Sequence, residues 1–200
     1  MPGKEGDHPA EVRRIQILKI LLAACNAKYI HSNLAVYNLK SCSGEYSPNV
    51  VIKEYTINQI QDDILKDIYL EQPDVICFSC YIWNISFVKE LVPDLKKILP
   101  HVDFWAGGPE VSYDAVEFLK KNPAFFGGMV GEGEETFHEL AGYYIERKPE
   151  NLKEIRGVAF HDETKVPDIV HTGWRELMDL SKVPFAYSNL TEFKNRIIYY

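Results

Sequence analysis

Cysteine is scarce. The four residues, Cys25, Cys42, Cys77 and Cys80, are too few and too irregularly spaced for the disulfide framework that staples small secreted domains, so reduced thiols are expected. Cys77 and Cys80 form a lone C-x-x-C; zinc would need a second ligand pair, and the end of an apolar strand suits a partly buried pair better. Long hydrophobic runs are also missing. The longest, Ile20 to Cys25, falls far short of the ~20 apolar residues of a membrane span. Residues 1–16 are polar and lack the apolar core of a secretory signal; they are expected to be a disordered leader, and the chain is expected to be cytoplasmic, with no membrane partner. Basic clusters are absent too. With 22 Lys+Arg against 29 Asp+Glu the formal net charge is −7, which argues against a nucleic-acid partner.

Two phosphate-handling classes fail on specific absences. The stretch Cys25 to His31, which follows the first apolar run, contains no glycine, whereas a nicotinamide-binding fold wants G-x-G-x-x-G there. The later Gly131-Glu132-Gly133-Glu134-Glu135-Thr136 carries three carboxylates that would repel a pyrophosphate. A phosphorelay receiver would end its third strand near an aspartate that can be phosphorylated; this chain has Ser79-Cys80.

What is present is a hydrophobic fraction of 46%, enough for one sizeable core, laid out in strand and helix alternation. The run 17–24 reads as a strand buried on both faces, followed by a helix over 33–41. A β-branched strand at 49–55 and a helix at 57–70 come next, then a strand at 74–79 and a helix at 84–99. A fourth strand at 102–106 leads to a helix at 111–121, and a weaker glycine-containing strand at 124–130 to a helix at 133–147. Five such units predict an α/β, flavodoxin-like doubly wound five-stranded parallel sheet of order 2-1-3-4-5. That domain is expected over 17–148. A β-hairpin extension is expected over 149–173, its strands at 155–161 and 168–172, and a linker over 174–200.

In such a sheet, ligands bind beyond the carboxyl ends of the strands where the strand order reverses. The loops that reach this edge are 25–33, 79–84, 107–113 and 131–136. They combine glycines, where backbone is expected to approach a ligand closely, with Ser79, Asn84, Ser112 and Thr136 and with the aromatics Tyr29, Tyr81, Trp83 and Tyr113. Flat apolar walls with a few small polar groups suit a large, rigid, amphipathic ligand.

These loops resemble a known family. Cobalamin-binding domains of the methionine synthase and mutase type carry D-x-H-x-x-G after strand one, S-x-L or S-x-T after strand three and G-G after strand four. Ser79-Cys80-Tyr81 and Gly107-Gly108 stand at the second and third places. At the first, Asn26 replaces the aspartate, Lys28 the cobalt-ligating histidine and His31 the glycine. A protonated lysine has no lone pair for cobalt, so the resemblance implies binding without a protein histidine ligand and no metal-ligating residue. The altered pattern, with Asn26 to His31, Ser79 to Asn84, Gly107 to Ser112 and Gly131 to Thr136, is similar to the N-terminal domain of cobalamin-dependent radical S-adenosylmethionine proteins over about residues 17–147. It implies a site built from Asn26, Lys28, Tyr29, His31, Ser79, Tyr81, Trp83, Gly107, Gly108, Ser112, Gly131 and Gly133. Lys28 and Tyr29 would face the corrin, Ser79 and the glycines would lie along the buried nucleotide tail, and His31 would hold the loop or the corrin side chains. His138 is expected to be a packing or surface residue.

The catalytic half of that family holds a four-iron four-sulfur cluster through C-x-x-x-C-x-x-C, with S-adenosylmethionine on the open iron, and this chain has no such triplet. Tyr199-Tyr200 resembles the segment that leads into the radical barrel. The expectation is a cobalamin-binding module whose partner is a radical SAM domain of the same polypeptide, which performs methyl transfer, with no activity for this chain alone. The alternative is a vestigial fold that serves as an interaction or gating module.

Overall fold

The computed structural model describes residues 18–147, 152–162, 164, 168–187 and 193. The leader expected at 1–16, the middle of the hairpin turn and the Tyr199-Tyr200 segment lie outside them.

The core of the molecule is a parallel sheet of β1 (Ile20–Asn26), β2 (Val50–Thr56), β3 (Val75–Ser79), β4 (Asp103–Gly107) and β5 (Gly127–Met129), in the order 2-1-3-4-5. Every residue of β1 and β3 is buried, as expected of interior strands covered on both faces. The alternation of side chains divides them between two cores. Leu21, Ala23, Ile76, Phe78 and Phe104 face α2 (Gln61–Glu71), α3 (Ile85–Ile98) and α5 (Ala115–Lys121), through Ile64, Ile68, Val88, Leu91, Leu95 and Phe118. Ile20, Leu22, Ala24, Cys77 and Trp105 face α1 (Leu34–Cys42) and α6 (Glu134–Glu146), through Val36, Phe137, Leu140 and Ala141.

The hairpin does not stand apart. Strand β6 (Val158–His161) pairs antiparallel with β5, and β7 (Ile169–His171) pairs antiparallel with β6, so a single mixed sheet of seven strands results. Two further elements depart from the sequence expectation. The helix expected over 111–121 divides into α4 (Pro109–Ser112) and α5. Its first turn is held at the rim by Ser112, whose hydroxyl donates to the Gly108 carbonyl at 3.0 Å and accepts from the Gly131 N–H at 3.1 Å. The fifth strand shrinks to three residues, and its glycines have a packing reason: a Cβ on Gly127 would stand 2.5 Å from the Trp105 ring, and one on Gly128 3.0 Å from Val111. The stretch from Trp174 onward, expected as a linker, touches the domain at Trp174, Arg175, Met178 and Tyr187. Tyr187 is buried, its hydroxyl is 3.2 Å from the Ser32 hydroxyl and its ring is 5.2 Å from that of Tyr37.

Candidate functional site

Strand order reverses beside β1, because the chain leaves β1 toward β2 and later leaves β3 in the opposite direction. The loop after β1 is organised by a residue that sequence reasoning missed. Glu54, on β2, accepts from the Asn26 amide (2.8 Å) and the Asn33 backbone N–H (2.8 Å) through one oxygen, and from the Tyr37 hydroxyl (2.6 Å) through the other. Asn26 also donates to the His31 carbonyl at 3.0 Å, so its amide ties the two ends of the loop together. The one signal in the sequence was a carboxylate inside a strand, between Lys53 and Tyr55. Lys28 and Tyr29 stand at the exposed tip, Tyr29 with 73% of its surface in solvent.

After β3 the chain turns into α3 around Asn84, which is fully buried. Its amide donates to the Cys25 and Ser79 carbonyls, both at 2.9 Å, and its side-chain oxygen accepts from the Tyr81 N–H at 2.8 Å. The loops after β1 and β3 are thereby locked to each other, and the Tyr81 and Trp83 rings project together, stacked at 4.5 Å with planes 5° apart. Burial raises the Tyr81 phenol above its ordinary value, with the Ser79 hydrogen bond opposing, so the hydroxyl stays protonated. The C-x-x-C thiols are both buried. Desolvation pushes Cys77 and Cys80 far up, and Cys25 beside them up to about 12, which leaves all three as inert thiols.

The third and fourth loops supply glycine-rich backbone, though for two different reasons. Gly108 has φ of +107°, and a Cβ there would stand 2.4 Å from the Cys80 carbonyl oxygen, so the residue is demanded by the packing of its own backbone rather than by a ligand. Gly107 is different. A Cβ there would meet only the Met129 side chain, its Cε at 3.2 Å and its Cβ at 3.6 Å, and Gly107 lines a cavity.

That cavity, of about 470 Å³, lies between α1, the ends of β3, β4 and β5 and the start of α6. Of the twelve residues expected in the site, Ser79, Tyr81, Gly107, Gly108, Ser112, Gly131 and Gly133 line it, over a floor that includes Leu22, Cys77 and Met129. A second cavity of about 400 Å³ is lined by Asn26, His31, Tyr81 and Trp83 among others. Tyr81 borders both. Lys28 and Tyr29 line neither. Sequence reasoning also missed Trp174 to Leu177, which close one side of the larger cavity and lie in the segment read as a linker. His138 packs at the C-terminal end of α1, its ring nitrogen 3.2 Å from the Ser43 carbonyl and its ring 5.2 Å from that of Tyr46.

Among the described residues no helix is long and apolar enough to cross a membrane, and no group of three or more His, Cys, Asp and Glu could hold a metal ion. The architecture matches solved structures of the cobalamin-dependent S-adenosylmethionine radical enzyme OxsB. With aqua-cobalamin and S-adenosylmethionine bound, that enzyme superposes with a TM-score of 0.67 at 17% identity, over 88% of this chain and 25% of the OxsB chain. Its apo form gives 0.68 over 89% and 25%. The class is thus an α/β fold of the kind those enzymes carry. The B12 binding domain family model matches residues 20–141, and the chain belongs to that family. Two curated relatives are similar in sequence. The cobalamin-dependent radical SAM methyltransferase TokK of Streptomyces tokunonensis is 34% identical over 79 residues, 40% of this chain and 12% of that protein. The 2-(S-pantetheinyl)-carbapenam-3-carboxylate methyltransferase of Streptantibioticus cattleyicolor is 34% identical over 71 residues, 36% of this chain and 10% of that protein. The matched stretches are a small part of either relative.

Proposed function

We propose that this chain is the cobalamin-binding module of a radical SAM enzyme, that it holds the cofactor without a protein histidine on cobalt, and that it presents it to a catalytic domain of the same polypeptide. The observation that carries the reading is the pair of cavities meeting at Tyr81 above the switch point, one walled by glycine backbone and the other by an aromatic stack. The larger suits the nucleotide tail: Gly107 and Gly133 keep its walls free of side chains, and Ser79 and Ser112 line it, Ser112 with its hydroxyl hydrogen already given to the Gly108 carbonyl. The second cavity and the exposed loop tip with Lys28 and Tyr29 suit the corrin. Volumes of about 470 and 400 Å³ fall in the range of small-molecule sites, generally ~300–1,000 Å³. Once bound, cobalamin supplies a cobalt centre able to carry a methyl group. The chain's own residues bind the tail, orient the ring and keep water from the tail pocket. The parent's methyl transfer, its S-adenosylmethionine and its four-iron four-sulfur cluster belong to the catalytic half. The buried reduced thiols are consistent with a cytoplasmic setting.

Incubation with hydroxocobalamin followed by desalting should leave near-stoichiometric corrin absorbance on the protein. An empty protein at micromolar concentrations would favour the second reading, an interaction or gating module. The exposed Tyr29, Ile82 and Tyr113 would then be covered by a partner domain instead of a cofactor. Electron paramagnetic resonance of the cobalt(II) form should show no superhyperfine splitting from a protein nitrogen, and His31→Ala should leave the spectrum unchanged while weakening binding by ~1 kcal/mol. Splitting that disappears in His31→Ala would instead make His31 the lower ligand.

A further inference from the structure

Two successive reversals return a chain to the edge of the sheet from which it set out. Because β6 runs antiparallel to β5 and β7 antiparallel to β6, β7 ends at the carboxyl edge where β5 ends. Gly173, with φ of +88°, then turns the chain onto the rim, and Trp174 to Leu177 join Tyr113 and the Gly131–Glu134 loop around the larger cavity. The Trp174 ring lies against Gly131, where a Cβ would stand 3.3 Å from it, and its centroid is 6.0 Å from that of Tyr113. The segment is fastened just beyond this ring. Arg175 donates to Glu139 at 2.6 Å, to Glu135 at 3.3 Å and to the Thr136 hydroxyl at 3.2 Å, and the Met178 N–H donates to the Glu132 carboxylate at 2.8 Å. Two of the three carboxylates in the loop that opens α6 are therefore engaged by this segment.

We propose that Trp174–Met178 is a wall of the cofactor site, closing the larger cavity over the nucleotide tail of cobalamin and setting how fast the cofactor leaves. The proposal rests on the cobalamin reading above, and the segment itself lies beyond residues 20–141, which the family model matches. Its construction suits a wall that opens. Trp174 keeps 52% of its surface in solvent, leaving apolar area for a ligand to cover. The carboxylates that hold Arg175 are half exposed, although its own side chain is only 17% exposed, so the pairs are open to screening by salt from the carboxylate side. The segment can therefore lift without breaking a strand of the sheet.

The test compares hydroxocobalamin with dicyanocobinamide, which has the corrin but lacks the nucleotide tail, on the unmutated chain and on Trp174→Ala and Arg175→Gln. Both variants should keep the far-ultraviolet circular dichroism of the parent and release cobalamin roughly tenfold faster, a loss of about 1.4 kcal/mol, while cobinamide release stays the same. In the unmutated chain, raising salt to about 0.5 M should speed cobalamin release in the same selective way, which tests the clamp even where a variant folds poorly. Unchanged cobalamin release in both variants and in salt overturns the wall and leaves the cobalamin reading intact. Equal acceleration of cobinamide overturns it as well, and so does tighter cobalamin binding in Trp174→Ala, which would make the segment a plug. A parent chain that retains no hydroxocobalamin overturns the reading beneath it.

Discussion

At the scale of the residue, the site depends on a few side chains and one bare Cα that hold loops rather than touch a ligand. Gly108 is the clearest case. Both its positive φ and the Cys80 carbonyl 2.4 Å from a would-be Cβ penalise any side chain, so Gly108→Val should cost about 3 kcal/mol or more and lower Tm by roughly 10 °C. A loss of cobalamin in that variant would report unfolding. The cavity itself is better probed at Ala35, half-buried on α1, which faces it without backbone strain: Ala35→Phe should retain the melting profile and lose cobalamin. A variant that melts normally and still binds would move the tail pocket elsewhere. Glu54→Ala strips the Asn26, Asn33 and Tyr37 donors of their shared acceptor and should cost about 2–4 kcal/mol by urea denaturation, with the loop after β1 losing hydrogen-exchange protection before the sheet does.

At the scale of the element, the short fifth strand decides how the sheet continues. Trp105 lies so close over Gly127 that β5 can pair with β4 only where it has no side chain, and the same strand must offer its other edge to β6. Gly127→Ala should therefore destabilise by about 2–4 kcal/mol, and Trp105→Leu, which removes the ring atoms concerned, should recover part of that loss. The measurement is a double-mutant cycle in urea. Simple additivity of the two single variants, within about 0.5 kcal/mol, would show that the contact does not govern the strand. The antiparallel β6 and β7 blunt what would otherwise be an open parallel edge, and they also carry the chain back to the rim of the site.

At the scale of the whole molecule, acid stability follows a ladder on the outer side of β2 and α2. Lys53 bonds Glu71 at 2.8 Å and Asp67 at 3.1 Å, and Lys19 bonds Glu71 at 3.1 Å. The Lys53 hydrogen bond holds Glu71 below its ordinary value of 4.5, partly opposed by burial. At Asp67 burial pushes upward, but the Tyr55 and Lys53 hydrogen bonds prevail and lower it. A carboxylate whose folded-state value is depressed adds stability in full above its unfolded value and loses it as pH falls through the folded one. The urea midpoint should accordingly drop as pH is lowered from about 5 toward 3, and Glu71→Gln should flatten that limb. A parallel acid limb in the variant would place the effect elsewhere. The pairs are partly exposed, so the change is small, of the order of 1 kcal/mol or less per pair.

The sequence by itself determined the α/β alternation, the parallel order 2-1-3-4-5 and the loops that reach the carboxyl edge. The alternation follows from local information, since an apolar run such as Ile20–Cys25 between polar flanks suits an interior strand and residues spaced as Val88, Leu91, Val92 and Leu95 suit one buried helix face; the order follows from five such units in succession. Where the tertiary structure decided, the cause lay in residues distant along the chain. Glu54 became the organiser of the first loop because β2 is set beside β1, and Gly108 needs its bare Cα because the Cys80 carbonyl occupies the space. Nor did Trp174 or Arg175 carry a local signal, since nothing near them in sequence reveals that β7 ends beside β5. Their place at the cavity follows from two antiparallel reversals at the far edge of the sheet, and only the completed pairing of β5, β6 and β7 brings the chain back to that rim.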